Sequence, residues 1–268
     1  MNETIEAAKA VDVIVLAIGE DCYCEVPGNI ENLMISDTQQ LLADELFKLN
    51  KKVIVVYLGG RPRIITNIAS QADAVILGFL PGNRGAEAIA DIMFGQYNPN
   101  ARLPITYPRA PNGFVTYDRR AIEDFEFNHY DNLYPFGHGL SYTSFEYSDL
   151  ELSPVQQVDN LTLMVSVKVR NSGSMEGKET VLLYMNDEVA SISRPVQQLK
   201  GFKKVNLKPN EQAQVTFNLT LNDFSFINFD NKRVVEPGIF NFYVANLSTS
   251  FILNSVPTDP ATWMSTSY

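Results

Sequence analysis

Three near-continuous apolar runs rich in β-branched residues occur in the first eighty positions: Val11–Ile18, Lys52–Leu58 and Ala74–Phe79. Runs of this kind mark strands buried on both faces, as in a parallel sheet. Between and around them the spacing turns helical. A short helical approach, Asn2–Ala10, precedes the first run, and Asp37–Phe47 follows it with Ser36 or Asp37 as N-cap. A short helix is expected over Ile64–Ala69 and a longer one over Gly85–Phe94. This β-α-β-α-β-α order predicts a parallel sheet with right-handed crossovers. Three strands are few when a typical sheet has about five or six. Further strands, N-terminal to Met1 or supplied by another chain, are therefore expected.

The pattern changes after Asn98. Pro99, Pro104, Pro108, Pro111 and Pro135 break the helical spacing, and Phe114, Tyr117, Phe125, Phe127, Tyr130, Tyr134 and Phe136 cluster among them. A segment of that length without regular structure is expected to be docked or functional, and the aromatics to join two domains. From Ser148 onward short alternating runs dominate: Leu161–Arg170, Thr180–Met185, Ala213–Leu219 and Gly238–Val244. Turn clusters at Asn171–Ser174, Lys208–Glu211 and Glu236–Gly238 separate them. These features predict an immunoglobulin-like or fibronectin-type β-sandwich. The expected fold class is thus α/β plus all-β. A partial parallel α/β domain spans 1–108, an aromatic and proline-rich linker 109–147, and a β-sandwich 148–268.

Composition narrows the function classes. The chain has 268 residues, 45% hydrophobic and 19% charged, which suits a globular core. A net charge of −10 argues against nucleic acid and anionic membranes as partners, since both require an excess of Lys and Arg. No apolar stretch reaches the roughly 18 residues of a membrane span, and no secretory leader opens the sequence. Cys22 and Cys24 lie too close in sequence for an unstrained disulfide and read as free thiols. With His129 and His138 the only histidines, no metal-ligand set is apparent.

The candidate chemistry lies at the end of the first run. In an open α/β sheet, ligands bind beyond the carboxyl ends of the strands, and Gly19-Glu20 places a carboxylate there. Asp21–Asn29 follows as a polar loop with a second glutamate, Glu25, and an aromatic, Tyr23. Arg61, just after the second strand, is expected to pair with a carboxylate of these loops. Gly82-Asn83-Arg84-Gly85 opens a helix but lacks the Lys-Ser/Thr of a phosphate loop, so a nucleotide-binding reading fails. His138, between Gly137 and Gly139, reads as part of a docking segment rather than a site. Glycosylation triplets occur at Asn2, Asn160, Asn218 and Asn246.

Taken in order, several segments resemble the C-terminal part of glycoside hydrolase family 3, in its β-glucosidase and exo-glucanase branch. They are Leu16–Glu20 with the loop through Gly28, Leu80–Gly82 and Ala88–Gly95, Asn98–Pro108, Tyr134–Phe145, Arg194–Gly201-Phe202 and Glu236–Gly238. The resemblance implies an α/β sandwich domain followed by a fibronectin type III-like domain, with the family's barrel domain missing or on another chain. It implies hydrolysis of terminal non-reducing β-D-glucosyl residues with retention, on a β-glucoside or β-glucan oligosaccharide, without a cofactor or metal. Retaining enzymes use two carboxyl groups about 5–5.5 Å apart. The resemblance places the nucleophilic aspartate in the barrel and the general acid/base at Glu20. That acid requires a carboxyl raised toward the operating pH, and Glu20 is expected to be exposed and near its ordinary value in this chain. Glu25 orients Glu20, contacts the sugar or is simply solvated, and Tyr23 stacks on a sugar ring or on its own domain. Both are carried as candidate substrate-binding residues. Arg84 and Ala86 depart from the family pattern in their loop. A secreted, periplasmic or lysosomal setting is favoured, and this polypeptide alone is expected to be nearly inactive. The competing reading is a non-catalytic carbohydrate- or protein-binding module.

Overall fold

The computed structural model describes residues 1–23, 28–113, 117–120, 132–157 and 160–256. They form two compact units. The first contains residues 1–23 and 28–97 with 105–113 and 132–136, and the second contains 98–104, 117–120, 137–157 and 160–256.

The first unit begins with α1 (Asn2–Lys9), β1 (Val13–Gly19), α2 (Asp37–Phe47), β2 (Lys52–Leu58), α3 (Thr66–Ala69), β3 (Ala74–Phe79) and α4 (Gly85–Met93). The strands form one parallel sheet in the order β1-β2-β3. α2 starts where the sequence places its cap: the Gln39 N–H donates to Ser36 Oγ at 3.4 Å. Ile14, Leu16, Ile18, Val53, Val55 and Tyr57 are buried on one face of the sheet, and Ala43 and Leu46 of α2, Ile65 just before α3 and Ile68 within it are also buried. On the opposite face of β1, Val13 and Val15 are each 48% exposed. A small antiparallel pair, β4 (Tyr107–Pro108) with β5 (Asn132–Tyr134), completes the unit. The Tyr107 and Tyr134 rings meet edge-on at 6.1 Å.

The second unit is a β-sandwich. Its strands are β6 (Phe145–Gln157), β7 (Asn160–Asn171), β8 (Gly177–Asp187), β9 (Gln198–Leu207) and β10 (Gln212–Thr220). They are followed by α5 (Leu221–Phe224), the small pair β11 (Phe226–Ile227) and β12 (Arg233–Val234), then β13 (Gly238–Val244) and β14 (Leu247–Leu253). One sheet has the order β10-β7-β6 and the other β14-β13-β8-β9. The period-two pattern delivers one buried residue at every second position. Leu163, Val165, Val167 and Val169 of β7 face Val181, Leu183 and Met185 of β8 in a single core. Phe224 closes this core, fully buried and edge-on to Phe240 at 4.8 Å.

Segments flanking the sandwich are held by polar contacts. Asn98 Oδ1 accepts from the Ser141 hydroxyl and the Tyr142 N–H, and Arg102 Nη2 donates to Glu179 Oε2 at 2.6 Å. Tyr117 accepts from the Leu199 N–H at 2.5 Å. Phe114, Phe125, Phe127 and Tyr130 lie outside the described residues.

Candidate active site

β1 can close on β2 at its carboxyl end only because residue 19 is glycine. A Cβ there would stand 1.9 Å from the Leu58 carbonyl oxygen. The Gly19 N–H and C=O are satisfied by the Gln39 side-chain amide of α2, both at 2.9 Å, and the Glu20 N–H donates to Leu58 O at 2.9 Å. Glu20 is thereby delivered against the turn that follows β2.

That turn is built from Gly59-Gly60-Arg61-Pro62-Arg63. A Cβ on Gly59 would lie 2.5 Å from the Tyr57 hydroxyl and 3.0 Å from Glu20 Cγ, and one on Gly60 would lie 2.5 Å from the Tyr23 hydroxyl. The paired glycines make room for all three side chains. The Arg63 N–H donates to Arg61 O at 2.9 Å, closing a three-residue turn on Pro62. Buried tyrosines then bond both arginine carbonyls: Tyr57 donates to Arg61 O and Tyr107 to Arg63 O, each at 2.8 Å.

The two guanidiniums converge on one carboxylate. Arg61 Nε and Arg63 Nε donate to Glu20 Oε1 at 2.7 and 2.8 Å, and the Arg61 N–H donates to Oε2 at 3.1 Å. The Glu20 side chain is 3% exposed, against 24% for Arg61 and 17% for Arg63. Burial raises the Glu20 carboxyl. The hydrogen bonds from Arg63 and from the Arg61 backbone and side chain, with the Arg61 charge, outweigh it and hold the group below its ordinary value. The expectation of an exposed Glu20 near its ordinary value in this chain is thus corrected. Its physical reason is the second arginine, which turns a strand-end acid into a fixed anion.

The same arginines hold the loop. Arg61 Cζ lies 3.8 Å from the centroid of the Tyr23 ring, and Arg61 Nη1 donates to the Gly28 carbonyl oxygen. Arg63 Nη1 donates to Asn32 O at 2.7 Å and to Met34 O at 3.3 Å. Tyr23 is 38% exposed, with its ring stacked on Arg61. Cys22 is a free, exposed thiol. Glu25 and Cys24 lie outside the described residues.

The pairing expected of Arg61 is present. Arg63, Tyr57 and Tyr107 were missed by sequence reasoning. The available signal was Arg-Pro-Arg directly after a buried strand, a place where two cations require an anion. Among the described residues, no cluster of three or more His, Cys, Asp or Glu side chains could hold a metal. His138 is lowered from its ordinary value by burial and by the Arg102 charge, and its carbonyl accepts from the Leu103 N–H at 2.8 Å. Arg84 pairs with Glu87 on the surface of α4.

Comparison with known proteins places this geometry. Residues 1–142 match the glycosyl hydrolase family 3 C-terminal domain, and residues 179–248 match a fibronectin type III-like domain. The chain is 36% identical over 260 residues to the periplasmic β-glucosidase of Salmonella typhimurium, covering 91% of this chain and 34% of that protein. It is 37% identical over 258 residues to the lysosomal β-glucosidase of Dictyostelium discoideum, covering 92% and 31%. A β-xylosidase of Formosa agariphila is 36% identical over 262 residues, covering 95% and 36%. The crystal structure of a β-glucosidase from Listeria innocua with gluconolactone superposes with a TM-score of 0.87 at 29% identity, covering 95% of this chain and 38% of that one. The chain thus spans about a third of the length of these curated relatives. With its parallel sheet, strand-end glutamate and β-sandwich, the chain belongs to glycoside hydrolase family 3 and corresponds to the C-terminal part of that family's β-glucosidases and β-xylosidases.

Proposed function

We propose that this chain is the C-terminal portion of a retaining β-glucosidase that acts on terminal non-reducing β-D-glucosyl residues. It contributes the acid/base loop Glu20–Gly28, while an aspartate nucleophile resides in a barrel domain outside this sequence. The observation that carries the reading is Glu20 buried at the carboxyl edge of a parallel sheet, where α/β proteins bind ligands, followed in sequence by the polar segment that contains Glu25. The half-exposed β1 face, with Val13 and Val15, suits cover by further polypeptide.

The two glutamates take different tasks in this proposal. A carboxylate locked between two arginines resists the protonation that a general acid needs. Glu20 is therefore assigned the anchoring role and Glu25 the proton transfer, the reverse of the order that the resemblance implies. In the first step the barrel aspartate attacks the anomeric carbon while the Glu25 carboxyl protonates the departing glycosidic oxygen. In the second, the Glu25 carboxylate takes a proton from water as water displaces the aspartate, restoring both groups. Tyr23 borders the loop and is proposed to flank the sugar.

The test is hydrolysis of aryl β-glucosides and β-xylosides by this chain alone and joined to a family 3 barrel. The xyloside arm is included because a β-xylosidase is 36% identical to this chain. Glu25→Gln is expected to lower turnover of poor leaving groups by about 10²–10⁴-fold and to spare activated aryl glycosides. Glu20→Gln is expected to lower stability and all rates together. If Glu20→Gln alone shows the leaving-group dependence, the assignment reverses. Calorimetric binding of cello- or laminari-oligosaccharides without any hydrolysis, even with a barrel present, would support the non-catalytic module instead.

A further inference from the structure

We infer that Arg61 is a positioning residue for the proposed proton-transfer glutamate, because one guanidinium contacts Glu20, Tyr23 and Gly28, which flank Glu25 in sequence. The inference rests on the reading of that glutamate given above.

Three contacts of different chemistry meet on this side chain. Its Nε edge bonds Glu20 Oε1 at 2.7 Å, its flat face lies 3.8 Å from the centroid of the Tyr23 ring, and Nη1 bonds the Gly28 carbonyl oxygen. Tyr23 and Gly28, the described residues on either side of Glu25 in sequence, are thus held by one rigid plane. Arg63 does not duplicate this role. It takes the same Glu20 oxygen but bonds Asn32 and Met34 beyond the loop. Only arginine combines the required features, since a planar guanidinium stacks on a ring while donating in fixed in-plane directions. A lysine ammonium is a point charge on a flexible stem.

The Arg61 backbone is itself over-determined. Its N–H bonds Glu20 Oε2 and its carbonyl accepts from Tyr57, and Gly59 and Gly60 leave no side chain in the way. A side chain fixed at its root and engaged through Nε, Nη1 and its flat face suits a positioning role, for which proton transfer demands close tolerance. Glu20 in this view is the counter-ion that holds Arg61, and Arg61 fixes Tyr23 and Gly28 on either side of Glu25 in sequence.

Arg61→Lys tests this, because it keeps a cation beside Glu20 while losing the stacked plane and the bond to Gly28. In this chain, hydrogen exchange at residues 21–23 and 28 is expected to accelerate about tenfold or more, with exchange in β1 and β2 unchanged. In the enzyme joined to its barrel, Arg61→Lys is expected to slow an alkyl β-glucoside at least about tenfold and a dinitrophenyl β-glucoside far less, because only the former needs the proton donor in place. Tyr23→Leu, which removes the stacking partner and leaves the ion pairs, is expected to change both readouts in the same direction by a smaller factor. It carries the test if the arginine variant fails to fold. Wild-type loop exchange together with equal loss on both substrates would overturn the inference. If Glu25→Gln shows no leaving-group dependence while Arg61→Lys still frees the loop, the functional reading fails and the clamp stands.

Discussion

The Tyr57 hydroxyl donates to the carbonyl oxygen of Arg61 at 2.8 Å, tying the end of β2 to the residue that grips Tyr23 and Gly28. Tyr57 is 2% exposed, and its hydroxyl is pushed up to about 12, first by burial and then by the Glu20 carboxylate. It therefore remains a neutral donor across the working range of pH. Tyr57→Phe removes the donor and leaves a buried carbonyl short of a partner. The expected cost is about 1–2 kcal/mol, read as a lower urea midpoint at unchanged slope.

Glu20 governs stability in acid. Its carboxyl sits below the ordinary value of 4.5 in the fold, so the unfolded chain binds the proton first as pH falls. The stabilisation by both arginines is complete well above 4.5 and is lost as pH falls through the lower folded-state value. Glu20→Gln is expected to flatten this acid limb and to cost about 2–4 kcal/mol at pH 7. That is near the lower end for breaking a buried pair, because both arginines retain some solvent. Denaturant midpoints measured from pH 7 to pH 3 on both proteins decide it.

Asp187 acts with the opposite sign. Its side chain is 4% exposed and lies 3.3 Å from Arg194 Nε, and burial pushes its carboxyl up to about 6 against the opposing Arg194 charge. The folded protein therefore takes up this proton before the unfolded chain does. The contribution of Asp187 to stability is expected to rise as pH falls from about 6 toward the ordinary value of 3.8. Asp187→Asn is expected to abolish that rise. The check is the difference in melting temperature between pH 7 and pH 5, compared in wild type and variant.

Phe224 is the keystone of the sandwich core. It is fully buried, edge-on to Phe240 at 4.8 Å and to Phe242 at 6.3 Å. Phe224→Ala is expected to cost about 3–5 kcal/mol through lost transfer energy and the cavity it leaves. Guanidinium unfolding of the variant provides the number.

Local pattern was enough for the elements whose buried faces are regular. Lys52–Leu58 and Ala74–Phe79 are strands over the bounds that their apolar runs predict, and Ser36 caps α2 where expected. The alternation through Leu163, Val165, Val167 and Val169 identified the sandwich. β9 gave a weaker signal. Its Gln-Leu-Lys-Gly-Phe-Lys-Lys run lies at a sheet edge, and several of its residues are exposed, so the apolar code is diluted. β14 is likewise an edge strand with an alternating, mostly polar face.

The sequence by itself determined that a glutamate stands at the carboxyl end of β1, because strand, glycine and loop are all written in neighbouring residues. Only the tertiary structure decided what that glutamate is. Its partners, Arg61 and Arg63, are 41 and 43 positions away and arrive through the β1-β2 pairing. Burial and ionisation depend on what the fold packs around a group, and no pattern along the chain encodes that for Glu20.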